Sequence, residues 1–165
     1  MEIALLKIYL ANLYVSQIDN KGQLKSIEQD KPNTLTQEAF DMIERIIGNS
    51  NEYNYLRSKS LAAMGKVALI QKNVTQAEEL FKKSQWEVTA SFGDVHPLAV
   101  KFNQYLVETY NLKAQGAEAG KLLETSKLLN DICDTNLTIL QTFYGDTSIY
   151  NVRTMYTLYT ARLQL

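Results

Sequence analysis

The chain has little of what most catalytic and cross-linked folds depend on. It carries one cysteine, one histidine, two prolines and seven glycines in 165 residues. A single cysteine, Cys133, excludes an internal disulfide and fits a reducing compartment. The lone His96 has no second histidine or neighbouring cysteine to share a metal or a proton relay. So few prolines and glycines argue against an all-β fold with many turns. Charge is nearly balanced at −1, so the basic excess of a nucleic-acid binder is missing. The longest apolar runs, such as "IALL" at residues 3–6, fall far short of the roughly 20 residues of a membrane span. The start has no basic segment followed by a small-residue cleavage site, so no signal peptide is expected. The sequons at Asn73 and Asn136 are then chance matches.

What the chain does have is 45% hydrophobic and 21% charged residues, enough for one folded domain with a core. The apolar residues recur at spacings of three and four. Ile3, Leu6, Leu10, Leu13 and Tyr14 form such a stripe, which predicts a helix over 2–16. "QIDNKGQLKSIEQDKPNTL", residues 17–35, is polar and aperiodic and reads as a loop. Thr34 to Gln37 has capping-box form and opens a second helix, closed by Gly48. Further helices are expected over 53–72, 74–92, 97–115, 118–144 and 148–163. Asn73 to Gln76 caps the fourth, Gly93 and Gly145 stop the fourth and sixth, and Pro97 starts the fifth. Asp94 or Ser148 is expected to cap the helix that follows it. The expected fold is all-α, about seven helices paired as antiparallel hairpins.

The hairpins repeat. "SLAAMGKVALIQKNVTQAEELFKKS" and "YLVETYNLKAQG" align with an offset of 42, Met64 onto Leu106. Gly65 and Ala77 are small where two helices would approach, and Leu61 and Phe81 fill the space beside them. "SFGDVHPLAV" from Ser91 has a weaker echo in "FYGDTSIYNV" from Phe143. The chain resembles tetratricopeptide repeats of the kinesin-light-chain type. Leu61, Gly65, Ala77 and Phe81 match that repeat's fourth, eighth, twentieth and twenty-fourth places. "FGDVHP" matches its Leu-Gly-x-x-His-Pro junction. Leu10, Ala11 and Tyr14, then Leu106, Val107 and Tyr110, and finally Leu158 keep the same register. The resemblance implies a single right-handed solenoid of units 1–50, 53–93 and 97–145 with a closing helix at 148–163.

That resemblance also implies a concave groove, lined by the second, fifth, ninth and twelfth places of each first helix. Here these are Asn12; Lys59 and Lys66; Lys101, Gln104, Glu108 and Asn111; and Arg153 and Tyr156. The face is net basic, which suits an acidic or aromatic-acidic partner segment. A dicarboxylate clamp for chaperone tails is not expected, because Ile8 stands where it needs lysine. The expected function is a non-enzymatic adaptor within a larger complex, cytoplasmic, cytoskeletal or ciliary. No catalytic, cofactor or metal residue is expected, and neither nucleic acid nor membrane is an expected partner. His96 reads as a turn residue and Cys133 as a buried small hydrophobe. Trp86 and the tyrosines read as packing. Two alternatives stay open: the C-terminal helical domain of a SET- and MYND-type methyltransferase, and an architectural subunit anchored by residues 17–35.

Overall fold

A computed structural model describes residues 2–21, 26–45, 51–115, 119–145 and Tyr156. The described residues fold as six α-helices and no strand: α1 (Glu2–Lys21), α2 (Ser26–Glu44), α3 (Asn51–Ile70), α4 (Val74–Phe92), α5 (Pro97–Ala114) and α6 (Ala119–Tyr144). The seventh helix expected at 148–163 lies outside the described residues except for Tyr156, whose backbone is helical. The chain packs as two compact units, Met1–Ser91 and Phe92–Leu165.

In the first unit, α1 and α2 run antiparallel. Lys7 pairs with Glu38, and one face further along Lys31 Nζ sits 5.8 Å over the Tyr14 ring. α3 returns antiparallel to α2, and α4 antiparallel to α3. Ser60 donates to the Thr36 carbonyl at 3.4 Å, and Ser84 donates to the Ser58 carbonyl at 2.7 Å. α1 and α3 therefore point the same way, as their contacts from Tyr9 to Lys59 and from Asn12 to Lys66 also show. The core uses small residues where helices approach and large ones between them. Ala4, Ile8, Ala39, Ile43, Tyr53, Leu56 and Ala63 form one buried cluster. Across α3 and α4 the ring of Phe81, fully buried, lies against Gly65. Thr36, Ser58, Ser60 and Ser84 are buried, and each hydroxyl donates to a backbone carbonyl. These hydroxyls allow close approach without leaving a polar group unmatched.

Several junctions form as the sequence predicts. Asn73 accepts from the Gln76 N–H and its amide donates to the Gln76 side chain, so the two cap α4 reciprocally. Lys72, at φ 60°, takes the left-handed position that ends α3. The Asn73 N–H then reaches the Ala68 carbonyl, and the Lys72 N–H the Leu69 carbonyl. Gly93 and Gly145 end α4 and α6 at φ 87° and 76°.

Three expectations fail. The segment 17–35 is not a loop: α1 continues to Lys21, and α2 begins at Ser26 and passes through Pro32. Only 22–25 within it fall outside the described residues. Pro32 is buried, and the Thr34 and Thr36 hydroxyls donate to carbonyls one turn back within the helix, so these residues sit in its interior and do not cap its start. The second correction concerns α1. Its core-facing residues are Ala4, Ile8, Ala11 and Val15, whereas Ile3, Leu6, Leu10 and Leu13 are 40–67% exposed. The third is the α5 cap: His96 occupies it, not Asp94, and His96 Nδ1 accepts from the Leu98 N–H at 3.2 Å.

The second unit is built on the α5–α6 hairpin. At its end the His96 ring lies 5.1 Å from that of Phe92 and 6.1 Å from that of Phe143. Two turns inward on each helix, Asn103 donates to Asn136 Oδ1 at 2.8 Å. Both pairs keep one antiparallel register. Val100, Phe102, Leu106, Val107 and Tyr110 on α5 are buried, as are Leu129, Cys133, Ile139 and Leu140 on α6.

Candidate functional site

Residues far apart in sequence meet on the face of the first unit shared by α1 and α3. Lys66 Nζ donates to Asn12 Oδ1 at 3.2 Å, while Asn12 Nδ2 donates to the Ile8 carbonyl at 2.9 Å. Two turns away, Lys59 Nζ lies 3.4 Å from Tyr9 Oη, 5.3 Å from that ring's centre and 4.8 Å from that of Tyr55. Successive α3 residues are 100° apart, so Lys59 and Lys66 share one side of the helix. The result is a strip of two half-buried ammonium groups, an amide and two phenols. Ammonium groups of this kind are able to pair with carboxylates and to lie over aromatic faces, as Lys59 does with Tyr9 and Tyr55. In the second unit Lys101, Gln104, Glu108 and Asn111 lie along one side of α5; Lys101 and Glu108 are exposed, and Gln104 and Asn111 half-buried. Tyr156 is 69% exposed. Arg153 lies outside the described residues.

The opposite side of α3 carries a pocket that helical periodicity did not reveal. Arg57, Leu61 and Met64 form its floor, Gln37 and Phe40 of α2 one wall, and Leu80, Lys82, Lys83, Trp86 and Glu87 of α4 the other. Its volume is about 690 Å³. Trp86 stands at its mouth, 65% exposed, where a packing residue was expected. The spacing of an aromatic residue along a helix says that it lies on a stripe. Which stripe the neighbours cover depends on helices distant in sequence.

Arg57 ties three helices together beside this pocket. Its Nε lies 2.7 Å from Glu44 Oε1, off the N–H axis, and its Nη1 lies 3.3 Å from Glu87 Oε1. Two carboxylates thus share one guanidinium. Burial raises the Glu87 pKa above its ordinary 4.5, Glu44 raises it further, and Arg57 offsets only part. The raised value means the folded state prefers the protonated acid. The stabilising contribution is complete below pH 4.5 and is lost as pH rises through the folded value. Glu87→Gln should therefore gain melting temperature relative to the parent as pH is raised from acid to neutral. Thermal melts across that range check the sign, and a difference that stays flat would contradict it.

His96 and Cys133 do not form a catalytic pair. The His96 ring caps α5 beside Phe143, whereas Cys133 is buried ten residues earlier on α6, about 15 Å along its axis. Among the described residues no three His, Cys, Asp or Glu side chains gather as metal ligands. No described helix is long and apolar enough to cross a membrane. No protein-family model matches the chain, and a search of curated proteins finds no similar sequence.

Proposed function

We propose that the chain is a non-enzymatic protein-interaction scaffold of the tetratricopeptide kind, holding an acidic partner segment on its α1–α3 face. One observation carries the reading. Lys59 and Lys66 of α3, assigned to a groove from their places in a repeat, come within hydrogen-bonding reach of Tyr9 and of Asn12, an α1 residue assigned to the same groove, across 50 and 54 positions. The packing supports the repeat reading as well. Two antiparallel hairpins, α1–α2 and α3–α4, stack with their first helices parallel, and Gly65 lies against the Phe81 ring within the second. A solenoid of such hairpins exposes the first helices on one continuous face.

The test is selection of peptides from a displayed library by the purified chain, with Lys59→Glu/Lys66→Glu alongside. The parent should enrich Asp/Glu-rich, aromatic-containing sequences, with binding that weakens as salt is raised. The variant should lose them by about tenfold or more while keeping its melting temperature. Equal enrichment by both proteins would remove the α1–α3 face from the reading.

A further inference from the structure

The exposed stripe of α1 has a pattern of its own. Ile3, Leu6, Leu10 and Leu13 are separated by three, four and three residues, the spacing of alternating a and d positions over two heptads. At 100° per residue this stripe lies about 200° around α1 from Ala4, Ile8, Ala11 and Val15, which face α2 and α3. Tyr9, 59% exposed, flanks it. No described element covers these side chains. Together they present roughly 500 Å² of apolar surface, at the upper end of what a monomer leaves open.

We propose that a second copy of this chain covers the stripe, through an antiparallel two-fold pairing of α1 with α1. The spacing is palindromic about position 8. A two-fold axis there sets Ile3 against Leu13 and Leu6 against Leu10, the a-to-d pairing of an antiparallel seam. A patch on one face that complements itself in this way is what an isologous dimer requires. The charges agree. The same axis brings Glu2 opposite Tyr14, whose ring carries Lys31 Nζ 5.8 Å from its centre. Lys31 has no ion-pair partner among the described residues, so each end of the seam gains one Glu2–Lys31 contact between copies. A parallel pairing would set Glu2 against Glu2. The only other charge on the described exposed side, Lys7, is already held by Glu38 of its own chain. Two such stripes bury on the order of 1,000 Å², about the threshold for a biological interface and in the range of weak, reversible association. Only Tyr9 borders both this stripe and the strip of Lys59 and Lys66, and the seam residues Ile3, Leu6, Leu10 and Leu13 lie outside that strip, so the dimer does not depend on the scaffold reading.

Sedimentation equilibrium of the full chain over a micromolar range decides it. The parent should fit a monomer–dimer equilibrium. Leu6→Glu/Leu10→Glu, which sets carboxylates on the seam, should raise the dissociation constant by more than about a hundredfold with an unchanged far-UV spectrum. Orientation is tested separately. Ile3→Cys/Leu13→Cys should form a covalent dimer under mild oxidation, and Ile3→Cys alone should not, since its two copies would be about 15 Å apart along the seam. The one native thiol, Cys133, is buried and does not compete. A monomeric parent overturns the proposal, as does a dimer that survives the double glutamate variant or crosslinks through Ile3→Cys alone.

Discussion

Gly65→Ala should destabilise the first unit by about 1–3 kcal/mol, a large effect for a single methyl group. A Cβ on residue 65 would lie 2.5 Å from Phe81 Cε1 and 2.8 Å from both Cδ1 and Cζ. Real carbon–carbon contacts do not reach such distances, so the ring or the helix must move. The ring cannot yield cheaply, because Phe81 is fully buried and its neighbour Ala77 equally so. Interiors packed at crystal density transmit such a displacement instead of absorbing it. Phe81→Leu alone should also destabilise, by leaving space where the ring was. In combination the two should cost less than their sum, because the smaller side chain makes room for the methyl. Urea unfolding of all four proteins in a double-mutant cycle measures that coupling. Simple additivity would show that the two residues do not share the contact.

Asn136→Ala should cost about 1–3 kcal/mol for a different reason. Asn103 and Asn136 are 2% and 1% exposed, and the bond between them crosses the α5–α6 hairpin at 2.8 Å. Removing one partner takes away the acceptor of a buried Nδ2–H bond and opens a small cavity. Asn103→Leu/Asn136→Leu replaces the pair by apolar groups of similar size and should recover most of the loss, read from the same denaturation curves. The burial also settles the sequon at Asn136, since no glycan fits on a side chain enclosed between two packed helices.

The legible part of the fold was local. Helix ends at Asn73, Gly93 and Pro97 depend on residues within one turn, and the structure forms each of them. The close approach at Gly65 was readable because a glycine mid-helix is costly and therefore signals a neighbour. What was not legible depends on partners distant in sequence. α1 carries two apolar sides, one of Ala4, Ile8, Ala11 and Val15 and one of Ile3, Leu6, Leu10 and Leu13. Periodicity finds both, and side-chain size favours the wrong one, because the side pressed against other helices is the one with smaller residues. Pro32 misled in the same way. It reads as a helix stop, yet the helix passes through it where the ring is buried. For the candidate site, the repeat register put Lys66 and Asn12 on one expected face, and their hydrogen bond appears only with α1 and α3 in place. The pocket beside Trp86 and the Arg57 pairings were not legible even that far, because they need α2, α3 and α4 in place together.

Trp86 gives the molecule a particular optical character. The chain has one indole, and in the folded state it stands in water at the mouth of a pocket. Unfolding moves it from one aqueous setting to another, so its emission carries little record of whether the first unit is folded. An apolar group placed between Phe40 and Met64 would dry the ring and move its emission to shorter wavelength. With the ring already 65% exposed, unfolding should shift its emission little, and an apolar group held in the pocket should shift it more.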